Sequence, residues 1–135
     1  MHGGGTPMAE RSADWFRQAE ADLLHARHAA DAGDFEWAAF AAQQAAEKAV
    51  RALFQTLHLE AWGHVISLLL GSLPEASSAA PAIVDSAKRL DKHYIPTRYP
   101  NGFDRGAPTD CTLSDAHQAI DDAEAILEFC RHQIG

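Results

Sequence analysis

Phe35-Glu-Trp-Ala-Ala-Phe-Ala-Ala-Gln-Gln-Ala-Ala-Glu-Lys-Ala-Val-Arg-Ala-Leu-Phe54 decides the fold of this chain. Alanine loses no side-chain entropy on entering a helix, and its small side chain lets neighbouring helices approach closely. At 100° per residue Ala39, Ala42, Ala46, Ala49, Val50, Leu53 and Leu57 share one broad face. Gln44, Lys48, Arg51, Gln55 and His58 form a narrow polar stripe opposite, the expected solvated or interfacial side. The pattern predicts a central helix that starts after Asp34, whose carboxylate is a candidate N-cap, and runs to about Leu59.

Upstream, Trp15, Phe16, Ala19, Leu23 and Ala26 recur at three- and four-residue steps, predicting an amphipathic helix from about Glu10 to Asp31 that Gly33 stops. Downstream, the 63–71 stretch predicts a short apolar helix ended by Gly71 and Pro74. Ser77, Ser78 and Pro81 resemble a helix start, with Ile83, Val84, Ala87 and Leu90 as its buried positions. Between Ile95 and Asp110 three prolines, two glycines and an Asn101-Gly102 turn signal leave no helical period. Thr112 with Asp115 three residues on predicts a capping box, opening a last helix with Leu113, Ala116, Ile120, Ala123, Leu127 and Cys130 along its stripe. The expectation is all-α: an antiparallel four-helix bundle with an additional short helix, occupying residues 9–135 behind a flexible segment at 1–8.

With 135 residues the chain has one core's worth of sequence. No apolar run approaches the roughly 20 residues of a membrane span, and residues 1–7 lack a secretory pattern, so the expected setting is cytoplasmic, with no membrane partner. Cys111 and Cys130 then read as plain thiols. A net charge of −8 opposes non-specific attraction to polyanions. Asp22, His25 and His28 lie near one helix face, but the second acid-and-histidine pair that a metal-holding bundle needs is missing, so neither metal nor cofactor is expected. Phosphate-loop, Rossmann and Gly-x-Ser-x-Gly signatures are absent.

The charge is unevenly placed. Residues 88–105 hold Lys88, Arg89, Lys92, Arg98 and Arg105 against Asp91 and Asp104, a net +3 on a remainder of −11. His93, Tyr94 and Tyr99 lie in the same stretch. Cations with aromatic rings on an acidic body point to a local phosphate or nucleotide site, with Lys92, His93, Tyr94, Arg98 and Tyr99 as its candidates. The competing reading pairs Lys88, Arg89 and Arg105 with the acidic last helix, where Asp115, Asp121, Asp122, Glu124 and Glu128 are available, and packs the tyrosines without a ligand.

Three blocks, Ala41–Phe54, Gly63–Leu70 and Leu90-Asp-Lys-His-Tyr-Ile-Pro-Thr-Arg-Tyr-Pro-Asn-Gly102, together resemble the prokaryotic HEPN family, a likeness running from roughly Ala9 to His132. The resemblance implies a bundle that forms a homodimer, often paired with a separate minimal nucleotidyltransferase in toxin–antitoxin or defence systems. Some members are metal-independent endoribonucleases; others are nucleotide-binding or assembly modules. The nuclease members carry an arginine and, with roughly four to six residues between, a histidine, often beside a tyrosine, which suits metal-free RNA cleavage: the imidazole moves the 2′-hydroxyl proton and the guanidinium steadies the phosphorane. Here Arg89 and His93 have only three residues between them, and Tyr94 follows His93 directly. Two substitutes exist. His93 and Arg98 present the pair in reversed order, His93 as acid–base group and Arg98 as phosphate clamp if RNA is cut; Arg51 and His58 keep the spacing but stand about 10 Å apart along one helix. The expected function is therefore nucleotide or RNA-phosphate binding by a dimeric partner of a nucleotidyltransferase. The alternatives are an active endoribonuclease toxin and a purely structural dimerisation module.

Overall fold

The computed structural model describes residues 7–95 and 111–135, all helix, turn or irregular chain with no strand among them. Five α-helices follow one another: α1 (Pro7–Asp31), α2 (Phe35–Thr56), α3 (Ile66–Gly71), α4 (Pro81–Asp91) and α5 (Leu113–Ile134), with a 3₁₀ turn at Glu75–Ser77 before α4. The expected all-α bundle with one extra short helix is what forms. Helix α2 is its centre, packed against α1 along one side and α5 along another, while α4 rests on α5 and α3 on α4.

The alanine stripe explains that centrality. Ala38, Ala42, Ala45, Ala46, Ala49 and Ala52 are fully buried, and Val50 and Leu53 fill the space between them. Small residues at the crossing let the helix backbones come close, so dispersion contacts accumulate over a large area. Ile126, Leu127 and Cys130 of α5 and Leu90 of α4 close the core from the other side. Residues 7–31 and 35–56 make an α-hairpin whose turn ends α1 in a Schellman motif: Asp34 N–H donates to Ala29 O at 2.8 Å and Gly33 N–H to Ala30 O at 3.1 Å, with Gly33 at φ 84°. Lys48 of α2 reaches Asp22 of α1 at 2.7 Å across the hairpin, so that carboxylate is engaged in an ion pair. Ser12 adds a bond from its Oγ to Ala52 O at 2.9 Å.

Several helix ends and caps differ from the sequence reading: α1 already begins at Pro7, inside the segment expected to be flexible and ahead of Glu10, and α3 begins only at Ile66. Helix α2 stops at Thr56, ahead of Leu59, because His58 takes the left-handed conformation at φ 60°. Asp34 occupies the N-cap of α2 without a side-chain cap bond; its backbone is already committed to closing α1, which leaves φ −97°, ψ 72° in place of the extended cap geometry. The serines at 77 and 78 belong to the 3₁₀ turn and the chain after it, and Pro81 opens α4. The Thr112 box forms as expected: Asp115 N–H donates to Thr112 Oγ1 at 3.1 Å, and Thr112 N–H to Asp115 Oδ2 at 3.0 Å.

Candidate functional site at the end of helix α4

Three segments converge where α4 ends: residues 91–95, the turn and first residues of α3 at 61–67, and the middle of α2. The joint between them is made of carboxylates. Asp91 accepts from Ile66 N–H at 2.7 Å, Ser67 N–H at 3.2 Å and Ser67 Oγ at 2.7 Å, so the last residue of α4 caps the first turn of α3. Glu47, with 7% of its side chain exposed, accepts Arg51 Nε at 3.1 Å, Arg51 Nη2 at 3.0 Å and His64 Nδ1 at 2.8 Å on one oxygen, and Gln43 Nε2 at 3.3 Å on the other. Gln43 is itself fully buried and takes a bond from Gln44 at 2.8 Å. A carboxylate is acceptor-only when ionised, so this set satisfies a buried charge that would otherwise be costly.

Arg51 also donates to Ala61 O at 3.4 Å and Gly63 O at 2.6 Å, tying the 61–63 turn to α2. That turn delivers His64 to Glu47, and the imidazole then stacks on Tyr94 with ring centroids 5.0 Å apart and planes 11° off parallel. An ionised Glu47 can only accept, so Nδ1–H of His64 donates to it, which fixes the orientation of that ring. Two rings, held from behind by one buried acid, thus form a shelf at the foot of α4.

Lys92 is exposed and His93 half-buried beside that shelf. Burial and the positive charge of Lys92 push the His93 imidazole below its ordinary value, against smaller opposing effects of Asp115 and Asp122. Its Nδ1 is enclosed and has no hydrogen-bond partner among the described residues. Arg89, one turn earlier, is spent: Nε and Nη2 meet the buried carboxylate of Asp122 at 3.0 and 2.9 Å, and Gln118 donates to the same group at 3.1 Å. The ion pair with Asp122 raises the Arg89 guanidinium further above its ordinary value.

Of the residues singled out by sequence, Lys92, His93 and Tyr94 come together here, while Arg98, Tyr99 and Arg105 lie outside the described residues. For Arg89 the docking reading is the one realised. Arg51 and His58 do line one cavity of about 600 Å³, but the Arg51 guanidinium is turned to Glu47 and the turn carbonyls. Glu47, His64 and Asp91 were missed as parts of the site. The i,i+4 spacing of Glu47 and Arg51 was a usable signal for the first.

These observations define a helical bundle with a polar, aromatic-bearing cluster where two helices meet the tail of a third. The sequence pattern of the HEPN domain matches residues 12–133, and the chain belongs to the HEPN family. Among solved structures it is similar to TT1696 from Thermus thermophilus, at 43% identity over 91% of this chain and 98% of that one, with a TM-score of 0.81. It is also similar to ST0689, described as an archaeal HEPN homologue, at 42% identity, 92% and 98% coverage and a TM-score of 0.77. A third is the HEPN domain protein TM0613 from Thermotoga maritima, at 33% identity, 88% and 95% coverage and a TM-score of 0.65. No match was found among curated proteins.

Proposed function

We propose that this HEPN protein is a binding module whose polar cluster at the end of α4 grips the phosphate of a nucleotide or RNA. The observation that carries the reading is the grouping of exposed Lys92, the half-buried imidazole of His93 and the stacked Tyr94–His64 pair at the point where the chain enters the segment bearing Arg98 and Tyr99. A lysine supplies the charge, the imidazole a directional bond and the rings a stacking surface, the combination that recognises a phosphate with a base attached. In this reading the protein acts as a homodimer and as the partner of a minimal nucleotidyltransferase in a toxin–antitoxin-like pair, following the family resemblance.

Binding is favoured over cutting for a specific reason. Both described guanidinium groups near a candidate imidazole, Arg51 and Arg89, already hold two bonds each to a buried carboxylate. A phosphorane needs a cation free to meet it. The nuclease version requires His93 and Arg98 to act alone, and predicts 2′,3′-cyclic phosphate ends on cellular RNA incubated with the protein in EDTA, abolished by His93→Ala. The binding version predicts no such ends, and ATP affinity that falls about tenfold in Arg98→Ala, as expected for one lost charge-assisted phosphate contact. Equal ATP affinity for Arg98→Ala and wild type would remove this loop from consideration.

A further inference from the structure

On the other side of the 61–63 turn lies the cavity of about 600 Å³ that Arg51 and His58 share, walled by Trp15, Phe54 and Trp62. Trp62 is 78% exposed, the most exposed large apolar side chain among the described residues, and it stands at the rim of this hollow. Arg11, also on the rim, has no carboxylate partner among the described residues. The Arg51 charge is shared with Glu47 behind it, leaving Arg11 and His58 against the single carboxylate of Glu60.

His58 reaches the cavity by a costly route. It occupies the left-handed residue of a Schellman motif, with Leu59 N–H donating to Phe54 O at 2.8 Å and His58 N–H to Gln55 O at 3.0 Å. Gly33 does the same work at the end of α1 without a side chain to strain, and no packing around that glycine demands its bareness. An imidazole in the strained place, at the rim of an aromatic-walled hollow, is an outlier that points to use.

We propose that this cavity binds a planar aromatic carboxylate. Indole walls favour a flat ring, through offset stacking and through the apolar area of Trp62 that a ligand withdraws from solvent. Arg11 meets the carboxylate and His58 donates to it. With Glu60 on the same rim, a single negative charge is accommodated better than the double charge of a phosphate monoester, so this ligand is distinct from that proposed for the end of α4.

Benzoate is the probe, followed by the indole N–H signals of Trp15 and Trp62 in two-dimensional NMR of the full chain. Benzoate shifts both signals saturably; benzamide, without the charge, and cyclohexanecarboxylate, without the flat ring, bind at least about fivefold more weakly. Arg11→Gln and His58→Gly each weaken benzoate by about threefold or more, and Glu60→Gln, which removes a like charge, strengthens it. His58→Gly restores the residue the backbone prefers and melts no lower than wild type, so its loss of binding is not a folding defect. No saturable shift, equal response to the three compounds, or unchanged affinity in Arg11→Gln and His58→Gly would each overturn the proposal.

Discussion

Replacing Glu47 by glutamine removes one charge from the centre of the molecule while keeping the shape of the side chain. The carboxylate accepts four hydrogen bonds, three of them from Arg51 and His64. Breaking a fully buried ion pair costs about 3–5 kcal/mol. Arg51 and His64 are 19% and 52% exposed at the side chain, however, so both regain water when the acid is neutralised. The expected loss is therefore smaller, about 2 kcal/mol, composed of charge-assisted bonds replaced by neutral ones and solvated ones. For a domain of this size that corresponds to a fall in Tm of roughly 6–8 °C. Urea denaturation gives the free energy directly. The double variant Glu47→Gln/His64→Ala should cost less than the two single losses together, since they remove the same contact. A Glu47→Gln protein within about 0.5 kcal/mol of wild type would refute the reasoning, because it would mean that Glu47 is not the hub of a desolvated network.

Acidification tests His93: its imidazole is held below the ordinary 6.5 by burial and Lys92, so folding favours the neutral ring. That contribution is complete above the unfolded value and lost as pH falls through the lower folded value, so urea midpoints should drop on going below pH 6.5 and drop less in His93→Asn. Burial pushes the Cys130 thiol up to about 12, and it should stay unreactive toward a disulfide reagent at pH 8 until the protein unfolds; labelling of native Cys130 would contradict its place in the core. Ala46→Leu forces a larger side chain into the closely packed centre of α2 and should destabilise by about 1–3 kcal/mol in the same urea assay.

Much of the architecture was legible in the sequence because it follows from local pattern. The alanine stripe of α2 placed the central helix, Pro81 placed the start of α4, and the Thr112–Asp115 spacing placed a cap that forms in full. The Asp34 cap was placed correctly but its side-chain bond does not form, because one residue serves two elements, and the end of α2 was read less well because a residue other than glycine, His58, adopts the left-handed turn. The site was legible only in outline. Lys92, His93 and Tyr94 stood out as a basic, aromatic cluster, but the groups that hold them come from α2 and the turn before α3, far away along the chain. Asp91 was counted as one charge among several, yet its carboxylate is consumed by the amides that open α3. Glu47 sits on the edge between an apolar face and a polar stripe, where periodicity does not say which way a side chain turns. Only the tertiary approach of His64 makes it a hub. The pairing of Arg89 with the acidic last helix was visible as charge complementarity, though not which acid would be chosen.

Phosphate binding by the cluster at the end of α4 is tested most directly by the ionisation of His93, followed through its ring resonances in NMR with and without saturating ATP. A phosphate in contact with the ring stabilises the imidazolium, so the account predicts that ATP raises the His93 midpoint from its depressed value while Cys130 and the core amides stay where they are. An unchanged His93 midpoint in the presence of bound ATP, or no ATP binding at all, would contradict it.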